Sequence, residues 1–253
     1  MNINSPEYSL FKARIEDILS QAEGGGFPCF SGFLDEGQQA IALGLAFSIH
    51  SSCKLMLWGG FEAAERQMLG AFPPYLEPES ASFPLTPVTL KFRRSDTLSH
   101  RDFLGSLMGL GLKREAVGDI LTEQGRAVLF LKEPLGAFVA ESLCKVGRVG
   151  VEAALGASEP LPQGSGFAPL SGTVSSLRLD CLVSLFAGCS RNQACELIRS
   201  GLVAVNGVQT EKTSQLILEA SKLSIRGCGK FMIDEIGSPT KKGRLRVNGR
   251  KYL

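Results

Sequence analysis

The chain has 253 residues, 44% hydrophobic and 21% charged, which is usual for a globular protein of one to three domains. Charged residues precede any long apolar run, and the longest mostly apolar stretch, Ala40–Ile49, is shorter than the roughly 20 residues that span a bilayer, so we expect neither a secretory signal nor a membrane-spanning helix. The seven cysteines form no Cys-x-x-Cys pair, which disfavours a metal knuckle or a disulfide framework. We therefore predict a cytoplasmic protein without metal or cofactor.

The net charge of +2 is unevenly distributed along the chain. Residues 171–253 contain 13 Lys and Arg against 6 Asp and Glu, whereas residues 1–170 contain 14 against 19. This basic C-terminal third indicates a module that binds a polyanion. A basic surface that only aids solubility is the alternative.

Two segments interrupt the pattern of helices and strands. Phe72–Pro87 contains five prolines, and Ala157–Gly172 is rich in Pro, Gly and Ser. They predict an α+β protein with four parts: a mainly helical domain (1–71), an α/β domain (72–157), a linker (158–175) and a C-terminal domain (176–253).

The first part contains three helix candidates and one strand candidate. Apolar residues recur at near-helical spacing in Ser9–Glu23, Asp35–His50 and Phe61–Leu69. The segment Cys53–Gly60 is typical of a short buried strand that ends in glycines.

The middle part alternates in the order β-α-β-β-α-β, which is the ferredoxin-like plan. RNA-recognition domains of the RRM type use this plan, as do many other proteins. The strand Arg126–Glu133 has one aromatic residue where such a domain would stack several, so the pattern permits RNA binding without indicating it.

The middle part also contains the tripeptide His-Arg-Asp, which is typical of the catalytic loop of protein kinases. Such a loop needs an Asn five residues after its Asp, and Leu107 stands there. We predict instead a helix capped by Ser99, with Asp102 in its first turn and a glycine at its end. Four residues in and after this helix are expected to be exposed and are candidates for a second contact surface: His100, Arg101, Lys113 and Arg114.

Two short helices begin the C-terminal part. Leu179, Leu182, Val183 and Phe186 predict the apolar face of the first, and Gly188 breaks it. Ser190 starts the second, with Gln193 at the capping-box position, Ala194, Leu197 and Ile198 on its core face and Gly201 at its end. The segment Leu202–Thr210 follows as a strand with an Asn-Gly turn.

The pattern "RLD…SRNQA..LI..G.V.VNG" in this part resembles the S4 RNA-binding domain. That resemblance implies two helices that present a basic surface to folded RNA, with Arg178 and Arg191 on phosphate or sugar. Recognition would then follow RNA shape rather than base sequence. The predicted RNA-binding residues are Arg178, Ser190, Arg191, Asn192, Arg199, Lys212, Arg226, Lys230, Lys241, Lys242 and Arg244.

Nearly the whole chain resembles the bacterial YlmH family. The resemblance is carried by "FLDEGQQAI", "WGGFEAAERQML", "HRDFLGSLMGLGLKRE" and the tail "KLSIRGCGKFMIDEIGSPTKKGRLRV". It implies an N-terminal domain, an RRM-like middle, and a C-terminal S4 domain. The implied function is that of a non-catalytic factor that binds ribosomal RNA of the large subunit, with peptidyl-tRNA, in ribosome-associated quality control. We also expect a monomer.

Two other functions remain as alternatives. S4 domains are appended to pseudouridine synthases and to ribosomal RNA methyltransferases. The Arg-Leu-Asp context of a synthase occurs at Arg178–Asp180, but inside the S4 helix, where Asp180 is expected to order the helix start. No glycine-rich loop of a methyltransferase is found. The third reading, a cell-division interaction protein, rests on the family's association with the division gene cluster.

Overall fold

The computed structural model describes residues 6–162, 167–240 and 243–252. The chain divides into two compact units, Met1–Gly164 and Ser165–Leu253. Both units combine helices with antiparallel sheets, which confirms the predicted α+β class. Within the described residues, no helix has the length and apolar character needed to cross a membrane.

The first unit contains four helices and nine strands among its described residues. The helices are α1 (Pro6–Gly25), α2 (Glu36–Ser48), α3 (His100–Gly109) and α4 (Leu135–Ser142). The strands are β1 (Cys29–Leu34), β2 (Lys54–Trp58), β3 (Gln67–Phe72), β4 (Leu85–Lys91), β5 (Val117–Glu123), β6 (Arg126–Lys132), β7 (Lys145–Val146), β8 (Val149–Gly150) and β9 (Glu152–Leu155). A short 3-10 helix, Arg114–Ala116, precedes β5.

Local signals set the helix starts that the sequence predicted. Asp35 caps α2, and its carboxylate accepts the N–H of Gln38 at 2.9 Å. Ser99 and Asp102 form the predicted capping box of α3. The helices predicted over Ser9–Glu23 and Asp35–His50 and the helix after Ser99 are confirmed.

The helix predicted over Phe61–Leu69 is wrong. The segment turns and then enters β3, the central strand of a three-stranded sheet in the order β1-β3-β2. Met68, Leu69, Ala71 and Phe72 of β3 are at most 1% exposed. A strand that is buried on both faces has a continuous run of apolar residues instead of an alternating pattern. Hydrophobic periodicity therefore does not distinguish it from a segment of a buried helix. The first 71 residues therefore contain a sheet as well as α1 and α2.

The middle of the first unit has the predicted β-α-β-β-α-β order. Its sheet runs β5-β6-β4-β9, with every neighbouring pair antiparallel. One face of this sheet packs on α3 and α4, where Phe103, Leu107 and Val139 are fully buried.

The opposite face of this sheet is covered by the N-terminal part of the unit. Val128 and Phe130 on β6 are 0% and 1% exposed and share one core with Phe33, Met68 and Phe72. RRM domains stack RNA bases on this sheet face. Here the face lies inside the protein, so base stacking on it is excluded in this conformation. The predicted division at residue 71 stays a prediction, although one core joins both sides of it.

The second unit places two helices on one sheet. Its helices are α5 (Leu179–Ala187) and α6 (Arg191–Arg199), and its strands are β10 (Phe167–Val174), β11 (Val203–Val205), β12 (Val208–Gln209), β13 (Lys222–Ile225), β14 (Gly229–Pro239) and β15 (Leu245–Tyr252). The strand order among the described residues is β10-β15-β14-β13-β11-β12.

The predicted helix boundaries and core of the second unit are confirmed. Gly188 ends α5 with φ +63°, a conformation that favours glycine. Ser190 and Gln193 form the capping box of α6. The predicted core residues are buried, apart from Leu197, which is partly buried: Leu179, Leu182, Val183, Phe186, Ala194 and Ile198.

Candidate nucleic-acid interface

The start of α5 is fixed by backbone bonds to a stretch that follows β12. The N–H of Leu179 donates to the carbonyl oxygen of Gln215 at 2.8 Å, and that of Asp180 donates to Thr213 at 3.1 Å. The same stretch begins at the predicted residue Lys212, which is exposed. These bonds place Lys212 beside the start of α5.

Asp180 joins the two arginines that were expected to contact RNA. Its carboxylate accepts from Nε of Arg178 at 3.2 Å and from Nε of Arg191 at 2.8 Å. A second nitrogen of Arg191, Nη2, lies at 2.8 Å from the same carboxylate. The Asp180 side chain is 2% exposed, whereas those of Arg178 and Arg191 are 38% and 55% exposed. A buried carboxylate thus holds two guanidinium groups that remain open to solvent.

The charges of this cluster stabilise one another. Burial tends to raise the pKa of Asp180, but the hydrogen bonds from Arg178 and Arg191 outweigh it, so the pKa lies below its usual value. The hydrogen bond to Asp180 in turn raises the pKa of Arg191. Asp180 and Arg191 therefore each favour the charged form of the other. As expected, Asp180 also lies in the first turn of α5, where a negative charge is favourable.

Arg244 lies next to this cluster. Its Nη2 donates to the carbonyl oxygen of Thr173 at 2.7 Å, and it lines with Arg191 a depression of ≈ 260 Å³. Four predicted cations therefore lie around the start of α5: Arg178, Arg191, Lys212 and Arg244.

The other predicted residues of this unit fall into a separate group or into the helix cap. Arg199 lies in the last turn of α6, about 12 Å along the helix from Arg191. The N–H of Arg226 donates to the carbonyl oxygen of Leu202 at 2.9 Å, which places Arg226 at that same end. Exposed Lys230 follows at the start of β14.

Ser190 has a structural role as the cap of α6, whereas Asn192 is exposed in the first turn of this helix. The Ser190 hydroxyl donates to Oε1 of Gln193 at 3.0 Å and accepts its N–H at 3.3 Å, which completes the cap of α6. The predicted residues Lys241 and Lys242 lie outside the described residues.

The predicted second surface divides in two. His100 and Arg101 are exposed in the first turn of α3, and Arg101 lines a depression there. Lys113 and Arg114 lie at the 3-10 helix before β5. The expectation that Arg114 is exposed is wrong. It is half-buried, and its Nη1 donates to the carbonyl oxygen of Val117 at 2.5 Å.

A basic depression in the middle of the first unit was missed from the sequence. Lys91 at the end of β4, Arg93 in the following loop and Arg148 in the β7–β8 turn line ≈ 730 Å³ of space, with half-buried Phe92 beside them. Asp96 and Glu152 also line it. Among the described residues, no carboxylate lies within ion-pair distance of these three cations. Nothing in the sequence indicated this depression, because the β7–β8 hairpin that positions Arg148 was not predicted.

Comparisons with known proteins identify the proteins that this chain resembles. Residues 78–157 match a family whose description reads "Putative RNA-binding domain in YlmH". The chain is also 33% identical over 225 residues to the Bacillus subtilis (strain 168) protein named "Ribosome-associated protein quality control protein P2". This similarity covers 85% of the chain and 84% of that protein.

A solved structure shares the fold. It is named "Cell division protein ylmH from Streptococcus pneumoniae" and matches with a TM-score of 0.53 at 20% sequence identity. The match covers 62% of this chain and 94% of that chain. At this identity the likeness concerns the fold alone.

Proposed function

Because the chain belongs to the YlmH family, we propose that it is a non-catalytic RNA-binding factor of the large ribosomal subunit. It would bind ribosomal RNA together with peptidyl-tRNA in ribosome-associated quality control, as a cytoplasmic monomer. The observation that carries this proposal is the arginine cluster at the start of α5, where Asp180 holds Arg178 and Arg191 in place.

The cluster suits the RNA backbone better than base edges. Two fixed guanidinium groups, with Lys212 and Arg244 beside them, offer charge-assisted hydrogen bonds to phosphate oxygens. Cations on phosphates position a protein on RNA without reading its sequence. This supports an S4-type domain in the second unit that recognises the shape of folded RNA.

The position of Asp180 argues against the pseudouridine synthase alternative. A catalytic Asp must reach its substrate, and this carboxylate is 2% exposed and engaged by two arginines. We therefore interpret the Arg-Leu-Asp sequence as part of the RNA contact rather than as a catalytic motif. The name of the Bacillus subtilis relative supports a ribosomal role.

The middle of the first unit would contribute a second RNA contact. Since its sheet face is covered, the contact would use the depression formed by Lys91, Arg93 and Arg148. The half-buried ring of Phe92 offers a surface on which a base could stack.

Co-sedimentation with purified large subunits, with and without peptidyl-tRNA, tests the proposal. We expect Arg178→Ala/Arg191→Ala to weaken binding at least tenfold and to lower the salt dependence of log K by about 2, because two phosphate contacts are lost. We expect Lys91→Ala/Arg93→Ala/Arg148→Ala to weaken it a few-fold. Lys12→Ala/Lys54→Ala removes two ion-paired surface charges and is the control.

Unchanged co-sedimentation of the Arg178/Arg191 variant in moderate salt would contradict the proposal, provided that NMR shows a folded second unit. If the Lys12→Ala/Lys54→Ala control weakened binding equally, the loss would reflect net charge and not the contacts of Arg178 and Arg191. If only the Lys91/Arg93/Arg148 variant binds as tightly as wild type, the second contact is wrong and the first stands.

A further inference from the structure

A cavity of ≈ 430 Å³ in the first unit lies where α1, the start of α2 and the 3-10 helix Arg114–Ala116 meet. Arg66 and Arg114 line it, with Lys113 and Gln38 beside them. These residues come from three of the segments that carry the family resemblance, although up to 76 positions separate them in the sequence. The RNA contacts proposed above use none of them.

Backbone carbonyl oxygens hold the two arginines. Arg66 donates from Nε to Val117 at 3.0 Å and from Nη2 to Phe33 at 2.9 Å. Arg114 donates from Nη1 to the same oxygen of Val117 at 2.5 Å and to Gly118 at 3.4 Å. The two guanidinium groups therefore share one acceptor and lie side by side.

Two carboxylates, those of Asp35 and Asp119, lie near this pair and act to raise the pKa of both arginines, but neither is bonded to a guanidinium group. Among the described residues, no carboxylate forms an ion pair with Arg66 or Arg114. The carboxylate of Asp119 accepts the N–H groups of Glu65 at 2.6 Å and of Arg66 at 3.2 Å, not the guanidinium groups. Asp35, which also lines the cavity, caps α2.

The nearby carboxylates offset the burial of the two arginines only in part, so the charged form of both is less favourable than in water. Burial lowers the pKa of Arg66, and burial together with the charge of Arg66 lowers the pKa of Arg114 to about 10. A structural role, the linking of distant backbone segments, accounts for the guanidinium nitrogens that donate to carbonyl oxygens. Nη1 of Arg66 and Nε and Nη2 of Arg114 have no hydrogen-bond partner among the described residues and are not fully buried, so these donors are available to a ligand.

We propose that this cavity binds a phosphate ester between Arg66 and Arg114. A guanidinium fork matches the geometry of phosphate oxygens, and the ligand would place a negative charge in direct contact with both arginines. The cavity is larger than a phosphate group alone and has an apolar wall of Phe11, Ile15 and Ile18, which suits an attached nucleoside. The phosphate ester is a free nucleotide or a nucleotide of an RNA strand.

Ligand-induced stabilisation tests the site in the full chain. We would titrate inorganic phosphate, uridine monophosphate and a short single-stranded RNA at constant ionic strength, with chloride as the reference. The readouts are the melting temperature and NMR shifts of residues around the cavity. The RNA arm uses the Arg178→Gln/Arg191→Gln background, so that failure of the proposed RNA surface leaves this result intact.

We expect a phosphate-specific stabilisation that Arg114→Met reduces at least tenfold in affinity. Met keeps the volume of the site, and the oxygen of Val117 keeps the bond from Arg66. Arg114→Lys retains the charge but loses the fork, and we expect intermediate affinity. Arg101→Met, on the exposed start of α3, is the matched control and should bind as wild type does.

The relative affinities identify the source of the phosphate. Tighter binding of uridine monophosphate than of inorganic phosphate supports a nucleotide, and tighter binding of RNA than of either supports a strand. Stabilisation by phosphate no greater than by chloride would overturn the proposal. Equal phosphate affinity of wild type, Arg114→Met and Arg114→Lys would overturn it as well, and the lysine variant decides the matter if the methionine variant does not fold.

Discussion

Each unit brings two arginines together, but the two pairs differ in their counter-charge. In the second unit, Arg178 and Arg191 meet at the buried carboxylate of Asp180. In the first unit, Arg66 and Arg114 meet at one carbonyl oxygen and have no ion-pair partner among the described residues. The pKa of Arg191 is correspondingly raised, and that of Arg114 is lowered.

This difference determines what each pair can do before a ligand arrives. The pair at Asp180 is neutralised in part, so the free protein holds both side chains in position and can present them on its surface. Among the described residues, the pair in the first unit has no directly bonded carboxylate before an anion enters. Binding there would relieve the repulsion, and a ligand that binds only the folded state also stabilises it. The first arrangement suits an extended, reversible contact, and the second suits a defined pocket.

Removing Asp180 should give the largest effect. Asp180→Ala leaves two arginines without their shared acceptor and removes a buried group from the first turn of α5. We expect the free energy of unfolding of the second unit to fall by about 3 kcal/mol and RNA affinity to fall with it. Urea denaturation followed by NMR signals of α5 measures the change.

Two internal references accompany that experiment. Asp234→Ala removes the partner of Arg250 from an exposed pair and should cost less than about 1 kcal/mol. Trp58, the only tryptophan, lies in the first unit, so its fluorescence should be unchanged in both variants. A loss for Asp180→Ala no larger than that for Asp234→Ala would show that Asp180 does not brace the arginines.

Replacing one arginine of each pair by Met should change the stability of the two units by smaller amounts and in different directions. Arg191→Met leaves Asp180 with one cation, so we expect a lower denaturation midpoint for the second unit. Arg114→Met removes a partly buried charge that burial and Arg66 disfavour, so the first unit should be as stable as wild type or slightly more stable when no phosphate is present. Trp58 fluorescence and α5 NMR signals follow the two units separately. A clear loss of stability in Arg114→Met would show that its bonds to carbonyl oxygens outweigh the cost of its charge.

The sequence predicted those parts of the molecule that short-range chemistry determines. Ser190, Gln193 and Gly188 specify the ends of α5 and α6 within a few residues, and both helices were placed correctly. The sequence failed at β3, because pairing with β1 and β2 decides that segment and its own apolar pattern does not. A resemblance to the whole family identified the class of protein, but its individual contacts came from the structure.

The candidate sites show the same limit. Arg178 and Arg191 were chosen by motif position, and the structure adds that Asp180 joins them although Asp180 and Arg191 are 11 positions apart. Arg66 and Arg114 are 48 positions apart, and no local pattern indicates that they meet. The charge of a segment can be counted from the sequence, whereas its neutralisation depends on which distant groups the fold brings close.

Acidification should give the smallest effect and separates the two pairs by pH. The folded-state pKa of Asp180 lies below its usual 3.8, so its contribution to stability is complete above that value and is lost as the pH falls through the lower folded-state pKa. We expect Asp180→Asn to reduce the loss of stability of the second unit below pH 3.8.

Glu23 and Asp102 also have lowered pKa values, but both lie in the first unit, whose unfolding Trp58 reports. Arg114, with a pKa of about 10, stays charged throughout this range and does not itself titrate in it. If Asp180→Asn does not alter the acid profile of the second unit, then Arg178 and Arg191 do not hold the carboxylate in its charged form. The contrast between the two arginine pairs would then fail.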